Sequence, residues 1–213
     1  MMPPMTKNDT PRPRASEGMW LDAAVELLIT SGVDGVKIMP LANHLGLTRT
    51  GFYHHFRDRE ALLEAMIKRW EDKNTGNLVA QCARYAETIC EAMFNLQDCW
   101  FQTDLFDAQL DRAIRNWADH DAALKQRVDT ADAQRKTAIK AMFERFGYAS
   151  EDAEIRTMTI LYAQVGYISM EIKEDPAGRI DRVPLYVELF TGRSPSDGEI
   201  RRFRARSGYC IQF

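Results

Sequence analysis

The residues best suited to chemistry in this 213-residue chain are concentrated in residues 48–54, which read Thr-Arg-Thr-Gly-Phe-Tyr-His. Hydroxyl, guanidinium and imidazole groups are the donors that proteins present to the phosphates and base edges of nucleic acids. No Asp or Glu occurs from Gly35 to Arg57, so no carboxylate in this stretch would repel a phosphate. The whole chain has a net charge of −3. We therefore predict a DNA-binding surface at one end of an otherwise acidic protein.

Helical spacing predicts which of these side chains face outward. Phe52 and Phe56 are four residues apart and mark the buried side of a short helix. Thr50, Gly51 and His54 fall on the opposite side of that helix, with Arg49 and Tyr53 on its flank. Thr48 precedes the helix and is a good N-cap, whose hydroxyl and neighbouring free N–H groups form an anion site.

The residues before this helix complete a helix-turn-helix pattern over residues 37–56. Ala42 suits the close crossing of two helices, and Gly46, four residues later, suits a left-handed turn. Leu41, Leu45 and Leu47 supply the apolar contacts that hold both helices in place. From spacing alone, a helical hairpin with a glycine turn and no DNA-binding role remains an alternative.

The surrounding elements are also predicted to be helical. Residues 1–15 are proline-rich and predicted to be a disordered arm; residues 16–60 form the helix-turn-helix domain, and residues 61–213 form a larger helical domain. In the larger domain, apolar stripes predict helices over 78–100, 104–117, 121–146, 150–172 and 184–189, with a last polar helix over 195–206. We place turns at Gly76-Asn77, Gly147-Tyr148 and residues 175–178. The expected fold class is all-α.

Residues 35–63 resemble the TetR family of one-component repressors. The Phe52-Tyr53-His54-His55-Phe56 segment is the specific part of the resemblance, which extends over about residues 16–70. The resemblance implies a dimer that binds a palindromic operator and responds to a ligand. It also implies groove contacts from Arg49, Thr50, Gly51 and His54 and phosphate contacts from Thr48, Tyr53 and Arg59. Lys37 stands where a hydroxyl residue is frequent and would supply an ionic contact. Met39 and His54 depart from the family pattern, so the operator sequence cannot be carried over.

Two features of the larger domain are candidates for the remaining functions. One apolar stripe over residues 160–170 and a second cluster over 183–190 would form a four-helix dimer interface, or else pack within one chain. Large apolar residues over 93–117 would line a pocket for an apolar or aromatic effector, or else belong to the core. The dimer candidates are Ile160, Leu161, Ala163, Gly166, Tyr167, Met170, Val183, Leu185, Val187, Leu189 and Phe190. The pocket candidates are Met93, Trp100, Phe101, Phe106 and Trp117.

Composition argues against several other classes of protein. No apolar run approaches the roughly 20 residues of a membrane span, and the four cysteines show neither zinc-ligand nor C-x-x-C spacing. We expect no metal, no cofactor and no enzymatic activity, and a cytoplasmic location. Two alternatives stay open: a DNA-binding dimer without an effector, and a helical metal-dependent phosphohydrolase using His120-Asp121. The Asp119-His120-Asp121 segment is better interpreted as a helix N-cap cluster.

Overall fold

The structure is a computed structural model that describes residues 16–206. Within that range the regular secondary structure is helical and no residue lies in a strand, which confirms the predicted fold class. The predicted arm, residues 1–15, lies outside the described residues. The α-helices are α1 (Glu17–Ser31), α2 (Ile38–Leu45), α3 (Arg49–Tyr53), α4 (Arg59–Trp70), α5 (Asn77–Ala83), α6 (Ile89–Phe101), α7 (Ala108–Ala118), α8 (Ala122–Arg145), α9 (Ser150–Ser169), α10 (Pro176–Thr191) and α11 (Asp197–Arg206).

The chain divides into two compact units, Met1–Met66 and Ile67–Phe213. We call the first the N-terminal unit and the second the body. In the N-terminal unit, the Ser16 side chain caps α1 by accepting a hydrogen bond from the Met19 N–H. The rings of Trp20 and Phe52 are fully buried and meet edge to face, with centroids 5.5 Å apart. This aromatic contact fixes α3 against α1.

The helices of the body surround one apolar cluster. Its buried side chains come from α5, α6, α8, α9, α10 and α11, so the core combines segments that are far apart in sequence. The rings of Phe94 on α6 and Phe203 on α11 stack at 4.8 Å. None of the described helices has the length and apolar character that crossing a membrane requires.

A buried polar network lies in the body beside this cluster. The Asp111 carboxylate is almost completely buried and accepts hydrogen bonds from Trp70 Nε1 at 2.8 Å, Arg115 Nε at 2.8 Å and Arg135 at 3.0 Å. Burial alone would raise the pKa of Asp111, but the two guanidinium groups outweigh that effect and hold its pKa below the ordinary value. The network therefore joins the end of α4 to α7 and α8 through charged hydrogen bonds.

The predicted turn at Gly76-Asn77 is wrong. A π-helical segment, Glu71–Gly76, continues α4 directly into α5. That segment buries Asn74 and Thr75, and Asn74 exchanges two hydrogen bonds of 2.9 Å with the Asp107 backbone. Tertiary partners thus stabilise the helical backbone at a sequence that favours a turn on local grounds.

Two other helices differ from the predicted bounds. Residues 78–100 form α5 and α6 rather than one helix, because the Thr88 hydroxyl accepts from the Glu91 N–H and starts a new helix. Helix α10 begins at Pro176 rather than Pro184, with Asp175 accepting from the Gly178 N–H. Proline in a first helical turn loses no hydrogen bond, so Pro176 starts the helix well. Pro184 is accommodated inside it.

Candidate nucleic-acid interface

The turn between α2 and α3 sets the direction of α3. Gly46 has φ of 64°, a left-handed conformation that favours glycine. The Leu47 N–H donates to the Ala42 carbonyl at 2.8 Å and the Gly46 N–H to the Asn43 carbonyl at 3.1 Å. These bonds satisfy the last carbonyls of α2 and hold the start of α3 in place.

Helix α3 is anchored by its apolar side and exposes its polar side. Phe52 and Phe56 are buried, while Thr50 and His54 are exposed, as the helical spacing predicts. Helix α3 ends at Tyr53, and His54 is its C-cap residue. The outward side therefore presents a hydroxyl and an imidazole on a rigidly held helix.

The start of α3 combines a cap with an exposed donor. The Thr48 Oγ1 accepts a hydrogen bond from the Gly51 N–H at 3.2 Å, so the hydroxyl hydrogen remains available to another acceptor. Thr48 and Arg49 are exposed. An anion placed here would meet the Thr48 hydroxyl and the free N–H groups of the first helical turn.

Arg49 and Tyr53 form a pair on the flank of α3. The Arg49 guanidinium donates to the Tyr53 hydroxyl oxygen at 2.9 and 3.3 Å, and it lies 5.5 Å from the centre of the tyrosine ring. Accepting these bonds leaves the Tyr53 hydroxyl hydrogen free to donate. The pair thus presents a positive charge and a hydroxyl donor side by side, a combination that suits the binding of a phosphate.

Lys37 and Met39 lie at the start of α2 and are exposed. Lys37 is the N-cap residue of α2 and makes no side-chain cap. Within residues 16–206 its ammonium has no acceptor, so it remains available to a phosphate.

Known proteins share this helix-turn-helix region. The family model for bacterial regulatory proteins of the tetR family matches residues 21–66. The tetracycline repressor protein class A from transposon 1721 of Escherichia coli is 29% identical over 175 residues, which cover 76% of this chain and 72% of that protein. The structure of Mycobacterium smegmatis AmtR has a TM-score of 0.63 and 17% identity, covering 94% of this chain and 98% of that chain. Salmonella enterica GusR has a TM-score of 0.57 and 15% identity, covering 96% of this chain and 98% of that chain. Together these similarities support a TetR-family transcriptional regulator.

The chain is a DNA-binding transcriptional regulator. The match over residues 21–66 includes α2, α3 and most of α4, so it covers the helix-turn-helix and the helix that follows it. The family resemblance noted in the sequence is thereby confirmed.

Arg59 of the regulator is placed differently from its expected role at a phosphate. Its Nε donates to the Val36 carbonyl at 2.6 Å and its terminal nitrogen to the Val33 carbonyl at 2.7 Å. Only 29% of the side chain is exposed. The guanidinium is thus bound to the backbone just before α2, where it fixes the start of α4 to the helix-turn-helix.

Arg59→Met should therefore lower the stability of the N-terminal unit by about 1.5–3 kcal/mol, because hydrogen bonds from a charged donor are lost. DNA affinity should stay near the wild-type value at temperatures where the variant remains folded. Thermal unfolding followed by circular dichroism, with anisotropy on a DNA duplex, measures both quantities. The exposed neighbour Arg57, changed to Met, is the matched control and should leave stability unchanged. If the Arg59→Met protein is as stable as the wild type but has lost DNA affinity, then Arg59 contacts a phosphate directly.

Gly51 is partly covered rather than fully outward. A Cβ built at this position would lie 3.6 Å from Thr48 Oγ1 and 3.8 Å from a ring carbon of Trp20, which is ordinary contact. The fold therefore accepts a larger residue here, and internal packing does not require glycine.

The expected pocket residues of the regulator divide into two groups. Trp100 and Phe101 line a cleft of about 100 Å³ between α6, α9 and α10. Met93 and Phe106 are buried in the body and belong to its core, and Trp117 on α7 does not line the cleft. These three residues therefore do not line this cleft. Helical spacing alone cannot separate a core position from a cavity wall.

The expected dimer residues also divide. Ile160, Leu161 and Val183 are buried within the chain, and so are Val187 and Phe190, so these five pack inside the body. Ala163, Gly166 and Tyr167 retain partial or full exposure, and Ala163 and Tyr167 line the cleft. Met170, Leu185 and Leu189 are exposed, together with three residues that the sequence did not single out: Ile155, Tyr162 and Tyr186.

Asp121 caps α8 by accepting from the Ala123 and Leu124 N–H groups, both at 3.0 Å. This confirms the cap interpretation of the Asp119-His120-Asp121 segment. Among residues 16–206, no three His, Cys, Asp or Glu side chains are grouped so as to hold a metal ion.

The remaining cleft residues were missed by the sequence analysis. Gln97, Gln164 and Arg179 come from α6, α9 and the first turn of α10. Over 80 residues separate the first from the last, and no local pattern marks them. Only the tertiary packing of the three helices brings them together.

Proposed function

We propose that this regulator is a ligand-responsive repressor that binds a palindromic operator as a homodimer in the cytoplasm. The observation that carries the proposal is the orientation of α3, whose phenyl side is buried while Thr50 and His54 face outward. A helix of this kind enters the major groove, where hydroxyl and imidazole groups can read base edges.

Each predicted DNA-contact residue has a proposed role. Arg49, Thr50, Gly51 and His54 contact groove edges, with the small Gly51 allowing close approach of the backbone. Thr48, Tyr53 and Lys37 contact phosphates, each through a donor that has no protein acceptor in residues 16–206. Arg49 also steadies Tyr53, because the two side chains are hydrogen-bonded. Arg59 acts indirectly by holding the helix-turn-helix in shape.

The exposed apolar side of α9 and α10 supports the homodimer. Ile155, Tyr162 and Met170 on or next to α9, with Leu185 and Leu189 on α10, point away from the core of the body. Exposed apolar residues gathered on adjacent helices indicate an interface. A two-fold dimer would bury both copies of this side and present two recognition helices to two half-sites.

The cleft between α6, α9 and α10 supports the ligand response. It lies in the body, and five of its twelve lining residues are aromatic, as suits a pocket that takes a small apolar or aromatic effector. One similar protein carries the name of a small molecule, tetracycline, in its own name.

Fluorescence anisotropy with duplexes from the regulator's own upstream region tests the DNA-binding assignment. We expect log K to fall linearly with log salt concentration, by about 0.9 for each phosphate neutralised. Tyr53→Ala should weaken binding about tenfold to thirtyfold on every sequence, because two protomers each lose a phosphate hydrogen bond of about 1 kcal/mol. Thr50→Ala should instead change the preferred base at one position of each half-site.

Tyr53→Phe is the matched control, since it removes only the hydroxyl and keeps the ring that lies 5.5 Å from Phe52. It should reproduce most of the loss seen with Tyr53→Ala. A Tyr53→Ala protein with altered base preference but unchanged average affinity would reverse the assigned roles. Salt-independent binding, or no binding to any upstream duplex, would contradict the DNA-binding surface itself.

A further inference from the structure

The cleft in the body has the size and walls of a site for one aromatic ring. Its volume is about 100 Å³, and Trp100, Phe101, Tyr167 and Tyr186 line it. A dry apolar cavity of roughly 150 Å³ accepts benzene. A ligand of a single ring, partly projecting from the open side, therefore matches the space.

A single guanidinium without a carboxylate partner lies in the same cleft. The Arg179 guanidinium is 4.6 Å from the centre of the Phe101 ring and 4.8 Å from that of Tyr167. Glu174 also lines the cleft, but it pairs with Arg182 and accepts from the Tyr167 hydroxyl at 3.1 Å. Across residues 16–206, no carboxylate pairs with Arg179.

This arrangement gives Arg179 a specific ligand preference. Two rings hold the guanidinium plane, which reduces the conformational freedom that ligand binding would cost. Its fork of N–H donors matches the two oxygens of a carboxylate. A cationic group placed against this guanidinium would be repelled, and a neutral group there would leave its charge uncompensated.

Two further polar groups around the cleft lack partners. Gln97 lines the cleft, is only 6% exposed, and has no hydrogen-bond partner within the described chain. The indole Nε1 of Trp100 is buried and likewise has no acceptor there. Of the two, only the Gln97 amide retains accessible atoms, so it is the group that can bond to a polar atom of a ligand in the cleft.

We infer that the cleft binds a small aromatic carboxylate. The carboxylate lies on Arg179, the ring lies among Trp100, Phe101 and Tyr186, and the Gln97 amide hydrogen-bonds to a polar group of the ligand. Naming this ligand as the effector rests on the proposed function, whereas the binding chemistry does not. Two arginines of α7 are occupied by carboxylates, since Arg112 pairs with Glu171 and Arg115 with Asp111 and Asp132.

Calorimetric titration of the full chain with three matched pairs of compounds tests the inference. The acids are benzoate, phenylacetate and indole-3-acetate, and each is compared with its neutral amide. We expect at least one acid to bind with an affinity about tenfold or more above that of its amide. Arg179→Met should lower the affinity for that acid to the affinity for its amide. Arg179→Lys should keep part of the preference for the acid over the amide, because it retains the charge.

Arg201→Met is the control variant, since Arg201 is exposed on α11 and does not line the cleft. It should bind like the wild type. Thermal unfolding of each variant shows whether lost binding reflects lost folding, and Gln97→Leu provides a second variant that keeps Arg179. Gln97→Leu should weaken the acid and its amide by the same factor.

Binding of no acid at millimolar concentration, or equal binding of acid and amide, overturns the inference. So does an acid preference that persists in a folded Arg179→Met protein. DNA affinity is measured in parallel, with and without the acid. An acid that binds through Arg179 without changing DNA affinity upholds the ligand chemistry but refutes the ligand response, so the two failures are distinguishable.

Discussion

Asp111→Ala should lower the free energy of unfolding of the body by about 3–5 kcal/mol, the cost of removing one partner from a buried ion pair. Asp111 and Arg135 are both nearly inaccessible, and Arg135 lies 3.0 Å from the carboxylate. Without Asp111, the Arg135 charge stays buried with Asp132 at 3.6 Å and the Thr75 hydroxyl as its remaining polar partners. Trp70 Nε1 also loses its acceptor. Urea unfolding followed by far-ultraviolet circular dichroism measures the loss.

The control for this prediction is an exposed acid on a neighbouring helix. Asp129 on α8 pairs with Lys125 one turn away, and both side chains are more than half exposed. Asp129→Ala should cost only about 0.3–0.5 kcal/mol, as exposed helical pairs do. Equal, small losses for the two variants would show that the buried network contributes little.

The pH dependence provides an independent check on the same network. Because the folded pKa of Asp111 is below its ordinary value, its stabilisation is present above the unfolded pKa, about 3.9, and is lost as the pH falls through the folded pKa. The stability difference between wild type and Asp111→Asn should therefore narrow in acid. Burial raises the pKa of Asp98, but Asp98 occurs in both proteins and cancels from the difference. A constant difference down to pH 2 would contradict the assigned charge state.

Leu189→Glu should convert the regulator from dimer to monomer at micromolar concentration. Leu189 is 69% exposed on α10, and its neighbour one turn away, Leu185, is 67% exposed. Burying two copies of a carboxylate in a symmetric apolar interface carries a large desolvation cost and adds repulsion between like charges. Light scattering coupled to size-exclusion chromatography measures the mass directly.

The same variant should weaken operator binding by about a hundredfold or more. Two linked recognition helices bind a two-half-site operator about 10²–10⁴-fold more tightly than one helix does, and a monomer loses this increase in affinity. Tyr85→Glu is the matched control, because Tyr85 is 83% exposed but belongs to the segment between α5 and α6. It introduces the same charge at an exposed large side chain and should leave both mass and affinity unchanged. A Leu189→Glu protein that remains dimeric would place the interface elsewhere.

Sequence alone was sufficient for the local geometry of the proposed DNA interface, because the signals for its turn, its cap and its buried side are local. Gly46, Thr48 and the Phe52–Phe56 spacing act within two turns of helix, so the turn, the cap and the buried side follow from backbone geometry and periodicity. Arg59 is placed differently because it binds carbonyls more than 20 residues earlier, and a local pattern does not record such a partner.

In the body, the surroundings of each side chain were determined mainly by tertiary contacts. Periodicity marks an apolar helix face but does not say whether that face meets the core, a cavity or another chain. This is why Met93 and Phe101, both on α6, have different surroundings. The π-helical continuation at Gly76-Asn77 and the unpaired Arg179 likewise depend on partners distant in sequence. The amino-acid sequence thus specified the all-helical class and the outward polar side of α3. Long-range packing decided which apolar side chains became core, cleft wall or exposed surface, because burial depends on which segments meet in space.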